Sequence, residues 1–270
     1  MATSASDGGR AANAHRRAQR GLTRLLTRDM RGLRRLIIPS RLEASVPEWI
    51  VAVRALVEQY GSASSSLSAD YYEAERAAAA VTGRFTVPLV DPPPDEQVES
   101  GLRWATKDLW PRDPDDPATT DAQREPMDIR LQQAEAKAEG VAQKLVADQG
   151  RGTVKEAVRQ DRTAVGYARA AALGACVFCK LMATRGLTYK SAGSAGRDVN
   201  SKFTGDDSVV KFHDNCHCQI VPVFKGQRFE LSDHAREWER IYRDYAAPYP
   251  GDQLNRFRQA LADHGHMPVL

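Results

Sequence analysis

The four cysteines of the chain form two close pairs in its C-terminal half. Cys176-x2-Cys179 is followed after 36 residues by Cys216-x-Cys218, and His213 lies three residues before Cys216. A C-x2-C turn lets two thiolates converge on one metal ion, and side chains two residues apart on an extended segment point to the same face. We therefore predict a structural zinc site, held either by all four cysteines or by three of them with His213.

Such a site is closed, because four protein ligands leave no coordination position for a substrate. The metal would join a predicted helix that ends near Leu173 to a predicted strand over 216–224. Two other roles for the cysteines are open. One is disulfide bonding, which a cytoplasmic protein rarely keeps. The other is a redox-active C-x2-C motif, although no βαβ pattern surrounds it.

A serine nucleophile is the other chemistry that the residue types allow. Ser191 and Ser194 lie in the segment KSAGSAG, and His213-Asp214 follows. The spacing lacks the strand-turn-helix elbow of a serine hydrolase. The chain also lacks an H-E-x-x-H metalloprotease motif and a phosphate-binding loop. We assign no catalytic residue.

The N-terminal segment is strongly basic. Residues 1–42 contain ten arginines and two aspartates, a net charge of +8, whereas the whole chain carries +3. A basic arm on a mildly acidic body favours an acidic partner, either nucleic acid or an acidic protein surface. The alternative is a solvated basic helix, because arginine is also a good helix former. The arginines expected to make such a contact are Arg16, Arg17, Arg20, Arg24, Arg28, Arg31, Arg34 and Arg35.

Hydrophobic periodicity predicts a mainly helical chain. Gly61 and the pair Gly150 and Gly152 are expected to interrupt helices, and Thr153 with Glu156 resembles a helix-capping box. The stretch 83–128 holds eight of the fourteen prolines and is interpreted as loop and linker around one short helix. The predicted helices cover residues 13–38, 45–60, 66–80, 96–110, 127–148, 153–173, 231–246 and 251–264.

These patterns define the expected fold class: mainly α, with an extended helical N-terminal region and a small α+β zinc-stabilised C-terminal domain. We divide the chain into an arginine-rich arm and helix (1–42), a helical region with a proline-rich acidic linker (43–128) and a C-terminal domain with the cysteine knuckle (129–270). No stretch reaches the roughly 18 apolar residues of a membrane span. The N-terminus is not a secretory signal, so synthesis and first use in a cytoplasm are expected.

Three segments of the C-terminal half form a recognisable pattern: GRGTVKEAVRQDRTAVGYARAA (150–171), GACVFCKLMATRGLTY (174–189) and KFHDNCHCQIVPVF (211–224). Together with Trp238 and the segment RFRQAL at 256–261, they resemble the MuF-like minor head proteins of tailed bacteriophages, especially those that infect actinobacteria. By this resemblance, Arg151, Asp161, Tyr167 and Arg169 of the first segment lie at recurring family positions. The N-terminal helices match that family only in general character.

The resemblance implies a virion protein that is made in a bacterial host cytoplasm and lies inside the head at the portal vertex. Its implied function is non-enzymatic head morphogenesis, with the portal protein as partner and the major capsid or scaffolding protein and packaged DNA as further contacts. The alternative is a capsid maturation protease or another head-carried enzyme. A third hypothesis is a DNA-binding regulator with a zinc finger, but the sequence between the two cysteine pairs contains no basic recognition helix.

Overall fold

The computed structural model describes residues 4–189 and 218–267. It is 65% helical and 9% strand, which confirms a mainly helical chain with a small sheet. Its helices are α1 (Arg10–Leu33), α2 (Leu42–Ala78), α3 (Asp95–Thr106), α4 (Asp121–Arg124), α5 (Met127–Gln160), α6 (Val177–Ala183), α7 (Asp233–Tyr245) and α8 (Gln253–Asp263). Its strands are β1 (Ser4–Ser6), β2 (Ala164–Ala170), β3 (Leu187–Tyr189), β4 (Gln219–Phe224) and β5 (Arg228–Glu230).

The first helix forms where its apolar spacing predicts it. Leu26 and Met30, one turn apart, are buried on one face of α1. Two 3-10 turns, Arg34–Leu36 and Pro39–Arg41, follow the helix and lead into α2. The turn is fixed by Ser45, whose hydroxyl accepts the N–H of Ile38 at 3.0 Å. The chain therefore reverses at Pro39, and α1 packs along α2.

The predicted interruptions at Gly61 and at Gly150 and Gly152 are wrong, because α2 and α5 run through them as continuous helices of 37 and 34 residues. The first two glycines lie where α2 crosses α5. A Cβ atom on Gly61 would be 1.9 Å from Oε1 of Gln149, and one on Gly150 would be 2.4 Å from Oγ of Ser64. These glycines permit close helix packing, so their helix-breaking tendency is overridden by tertiary contact.

The helix predicted to continue to Leu173 ends at Gln160 instead. Asp161 stops it, because its carboxylate accepts both the N–H and the hydroxyl of Thr163, at 2.9 and 2.6 Å. The predicted capping box at Thr153 is also wrong. Thr153 lies inside α5, and its hydroxyl donates to the carbonyl of Gln149.

The segment after Asp161 forms β2, the central strand of a three-stranded sheet in the order β3-β2-β4. Both pairings are antiparallel, with Tyr167 opposite Pro222 and Arg169 opposite Ile220. Every residue of β4 is buried. Strand β4 confirms the described part of the predicted strand over 216–224. The short strands β1 and β5 form a separate parallel pair.

The buried apolar side chains form two hydrophobic cores, and α1, α2 and α5 contribute residues to both. The helical core lies between these helices and α3, and the sheet core lies between their other ends, the sheet, α6, α7 and α8. Large side chains of the helical core include Leu26, Met30, Trp49, Tyr60, Leu102, Leu109 and Leu145. Those of the sheet core include Tyr71, Tyr72, Tyr167, Phe224, Trp238, Phe257 and Leu261. The proposed division at residues 42 and 128 stays a prediction.

The proline-rich stretch is largely irregular, as predicted, but α5 holds it in place. Lys137 donates to the carboxylate of Asp108 at 2.7 Å. Buried Arg130 donates to the carbonyl oxygens of Asp108 and Leu109. These contacts attach the end of the α3 segment to the first turns of α5, so the stretch forms a defined edge of the helical core.

Candidate functional site

The described cysteines all lie in the sheet core. Cys176 precedes α6 as its N-cap residue, and its sulfur accepts the backbone N–H of Cys179 at 3.4 Å. Cys179 and Cys218 are buried, and Cys176 is partly buried against the same core. No disulfide bond joins any two of these three residues. The fold thus brings the first pair and one member of the second pair into one buried region.

The remaining predicted ligands, His213 and Cys216, lie outside the described residues. Within 4–189 and 218–267, no group of three or more histidine, cysteine or acidic side chains is arranged to hold a metal ion. The donor chemistry of the three described cysteines suits zinc, because thiolates are its preferred protein ligands. The zinc site accordingly stays a prediction.

Lys180, which sequence reasoning missed, follows Cys179 directly and is fully buried. Its ammonium donates to the carbonyl of His266 and lies 5.2 Å from the ring centre of Trp238. Burial lowers the pKa of Lys180, and the nearby Cys176 sulfur opposes that shift. The sequence signal that could have identified it is a lysine inside the apolar segment VFCKLMA. The contacts of Lys180 connect the C-x2-C turn to α7 and to the segment after α8.

The polar and aromatic residues singled out in segment 150–171 have structural roles. Asp161 joins α5 to α2, because it accepts hydrogen bonds from Tyr72 at 3.2 Å and from Arg76 at 2.8 Å. Arg151 donates to the carbonyl oxygen of Cys218 at 2.9 Å and thereby connects α5 to the residue before β4. Arg169 is buried in β2, with its guanidinium carbon 5.8 Å from the ring centre of Phe178. Tyr167 is buried in the same strand.

The predicted arginines of the basic segment divide into three groups according to their contacts. Three of them form ion pairs: Arg28 with Asp29, Arg31 with Glu139 and Arg34 with Glu135. Arg16 is half-buried and donates to Asn13 and to the carbonyl of Asp7. The four others are exposed and have no ion pair within the described residues: Arg17, Arg20, Arg24 and Arg35.

The exposed arginines share one face of the first helix. Positions 17, 20, 24, 28 and 31 recur at intervals of three or four residues on α1, opposite the buried Leu26 and Met30, and Arg35 follows in the 3-10 turn Arg34–Leu36. At a rise of 1.5 Å per residue, the α1 part of this row extends over roughly 21 Å. We call these six arginines the basic face of α1. It presents fixed positive charge over a length suited to an extended acidic partner.

The protease alternative depends on Ser191, Ser194 and His213, which all lie outside the described residues. The described part contains one Ser-His-Asp contact, formed by Ser232, His234 and Asp7. Ser232 donates its N–H and its hydroxyl to the Asp7 carboxylate, at 2.6 and 2.7 Å, and the hydroxyl oxygen is 3.1 Å from Nε2 of His234.

This contact does not have the geometry of a catalytic triad. In a triad the acid bonds the imidazole nitrogen that faces away from the serine. Here Asp7 bonds the serine itself and is 3.9 Å from the same Nε2 atom that faces the hydroxyl. Asp7 thus holds the first residues of the chain against the start of α7, which is a structural contact.

Comparison with known proteins places this architecture in one family. A family model described as VG15 protein matches residues 8–245, from the residues before α1 to the end of α7. No curated protein and no solved structure gives a significant match. None of the described helices has the length and apolar composition that a membrane span requires. Because the family model covers most of the chain, the protein belongs to the VG15 family, a family of viral proteins.

Proposed function

We propose that this protein is a MuF-like minor head protein of a tailed bacteriophage, located inside the capsid at the portal vertex, where it serves head morphogenesis without enzymatic activity. The observation that carries this proposal is the viral family match over residues 8–245. The resemblance of segments 150–171, 174–189 and 211–224 to MuF-like proteins supports the finer part of the proposal. The portal protein is the expected partner, and the major capsid or scaffolding protein is a further one.

Co-expression with the portal and major capsid proteins of the same phage tests this proposal. We expect this chain to co-purify with the portal protein and to leave the major capsid protein uncleaved. Cleavage of the capsid protein that is lost in Ser191→Ala, Ser194→Ala or His213→Ala would overturn the non-enzymatic assignment. Absence of the chain from purified heads would overturn the virion location.

The basic face of α1 is proposed to contact packaged DNA. Its arginines are exposed and form a row on one side of a helix whose other side packs on α2 and α5. Arginine pairs well with phosphate, and neutralising phosphates releases counterions. An acidic surface of the portal is the alternative partner for this face. An affinity for DNA that decreases steeply with salt concentration would support DNA as the partner of this face. DNA binding that does not depend on salt would contradict that assignment.

The zinc site is proposed as the structural support of the sheet core. Cys176, Cys179 and Cys218 lie in that core, and Cys216 or His213 would complete four ligands. The buried ammonium of Lys180, next to Cys179, supplies positive charge beside the thiolates. When bound, zinc would join the α6 turn to the residue before β4. Metal analysis of the purified full chain tests this proposal.

A further inference from the structure

A small cavity lies where α1, α5 and the start of β4 meet. Its volume is about 50 Å³. Three arginines line it: Arg16 and Arg20 from one side of α1, and Arg151 from α5. The fold thus brings together guanidinium groups that are more than 130 positions apart in the sequence.

The other side chains that line the cavity are uncharged or neutral at their tips, and none of them is acidic. Gln19, Thr23 and Ser68 contribute an amide and two hydroxyl groups. Apolar side chains such as Val146 and Ile220 form the remainder, and no carboxylate among the described residues lines the cavity. Arg151 forms an ion pair with Asp148 at 2.7 Å, so the positive charge available to an anion comes chiefly from Arg16 and Arg20. A partly enclosed space of low polarity strengthens their attraction for an anion.

Two polar atoms at this cavity lack a hydrogen-bond partner within the described part of the chain. One is Nε of Arg16, whose other nitrogens donate to Asn13 and to the carbonyl of Asp7. The other is Nδ1 of His15, a residue that is only 9% exposed. Buried polar groups without partners are rare in native proteins and call for a bound water, ion or ligand.

The volume limits what fills the space. One water needs about 10–15 Å³ measured in this way, so the cavity holds roughly three or four water-sized groups. A tetrahedral oxyanion, with four oxygen atoms around one centre, has that size. Phosphate is the oxyanion for which paired guanidinium and hydroxyl donors are best suited.

We propose that this cavity binds a phosphate group, either as inorganic phosphate or as part of a phosphate ester such as the nucleic-acid backbone. Arg16 and Arg20 would donate from one wall, with the Ser68 hydroxyl beside them. The Thr23 hydroxyl donates to the carbonyl of Gln19, and Arg151 lines the opposite wall in its ion pair with Asp148. The site differs from the basic face of α1, because only Arg20 belongs to both. It would bind phosphate whether or not the protein contacts packaged DNA.

The test is calorimetric titration of the full chain with sodium phosphate, in sodium chloride of matched ionic strength. The variants are Arg20→Gln, which removes a cavity side chain, and Arg24→Gln, which removes the next exposed arginine outside the cavity. We expect Arg20→Gln to weaken phosphate binding by about tenfold or more, since hydrogen bonds to charged groups carry such energies. Arg24→Gln should change it less than about twofold, and Arg20→Lys should restore part of the loss.

Parallel titration with a short DNA duplex without terminal phosphates distinguishes the two sources of the phosphate group, the free ion and the nucleic-acid backbone. Binding of inorganic phosphate that depends on Arg20 supports a site for the free ion. Binding of DNA alone, weakened more by Arg20→Gln than by Arg24→Gln, supports a backbone phosphate in the cavity. Equal losses in the two variants, or no binding of either ligand, would overturn the proposal. Circular dichroism of each variant confirms that the fold is retained.

Discussion

The guanidinium of Arg76 in α2 lies 2.8 Å from the carboxylate of Asp161 at the end of α5, and both side chains are largely buried. Tyr72, one turn earlier in α2, donates to the same carboxylate at 3.2 Å. Because Asp161 also stops α5 and begins the turn into β2, one carboxylate determines where the helix ends and how the sheet is attached to α2.

We predict that Asp161→Ala lowers the free energy of unfolding by about 3 kcal/mol, because removing one member of a buried pair leaves the other charge unpaired. Burial raises the pKa of Asp161, but hydrogen bonds from Thr163 and Arg76 outweigh it and the net shift is downward. This contribution is therefore present at neutral pH and is lost as the pH falls through the folded-state pKa. Urea unfolding measures the change. Glu156→Ala, which removes an exposed pair with Arg159, is the control and should cost less than about 1 kcal/mol.

His15 makes a second pH-dependent contribution to the free energy of unfolding. Burial lowers its pKa to about 4, so the folded state resists protonation that the unfolded chain accepts from about pH 6.5 downward. As the pH falls from 6.5 to 4, we expect His15 to reduce the free energy of unfolding by about 3 kcal/mol. Comparison of wild type with His15→Gln at pH 7.5 and 4.5 measures this, because the variant lacks the titrating group.

The neighbouring Glu75 also titrates in this pH range, so the effect of His15 must be taken as the difference between wild type and His15→Gln. Burial raises the pKa of Glu75 to about 6, so its destabilising effect is relieved as the pH falls through 6 and opposes that of His15. Both residues neighbour Tyr71: its ring stacks on that of His15 with 4.5 Å between the ring centres, and Glu75 follows it by one turn in α2. His264→Gln at an exposed position is the control. Equal pH dependence of His15→Gln and wild type would contradict the prediction.

The parts of the fold that the sequence predicted are those where local pattern and burial agree. The amphipathic spacing of α1, α7 and α8 places apolar side chains on one face, and these helices form within a few residues of the predicted limits. Strand β2 was missed because AVGYARA, rich in alanine, has helical propensity. It becomes a strand because β3 and β4 pair with it on both edges.

The candidate sites were predictable to different extents. The basic face of α1 follows from arginine spacing on a helix that also forms in the structure. The contacts of Arg151, by contrast, depend on how α5 lies against β4, which no local pattern encodes. Lys180 carried a local signal, a charge within an apolar segment, but its partner His266 is 86 positions away. Partners at such separations are defined by topology alone.

The basic face of α1 gives a prediction for DNA binding. The triple variant Arg17→Gln, Arg24→Gln and Arg35→Gln removes three exposed arginines. We expect weaker binding to any DNA sequence and a plot of log affinity against log salt that is less steep by roughly 2–3, since each phosphate contact contributes about 0.9. Filter binding or fluorescence anisotropy at several salt concentrations measures both quantities.

The control for that prediction is a triple variant with the same charge change on a different helix. Arg236, Arg240 and Arg243 on α7 form ion pairs with acidic neighbours of their own helix. Their substitution by glutamine should leave the salt dependence unchanged to within about 1. A similar decrease in both variants would show that net charge, and not the basic face of α1, determines binding.

The zinc site predicts a stoichiometry. Purified full chain should contain about one zinc per chain, because a closed site takes four ligands and the chain has four cysteines. Cys176→Ser and Cys218→Ser should each lose the metal and lower the thermal stability of the sheet core, since structural zinc contributes folding free energy directly. Elemental analysis measures the metal, and thermal unfolding followed by near-ultraviolet circular dichroism, to which Trp238 and the other ordered aromatic side chains contribute, measures the stability.

Loss of stability alone would not identify a metal site, because any damage to the sheet core lowers stability. Leu261→Ala creates a cavity in the same core and should cost about 2–5 kcal/mol while leaving the zinc content at one per chain. His213→Ala then separates the two ligand sets. Retained zinc indicates four cysteines, and lost zinc indicates that the imidazole is a ligand. A well-folded wild-type protein without metal would refute the site, and Cys176, Cys179 and Cys218 would then be packing residues of the sheet core.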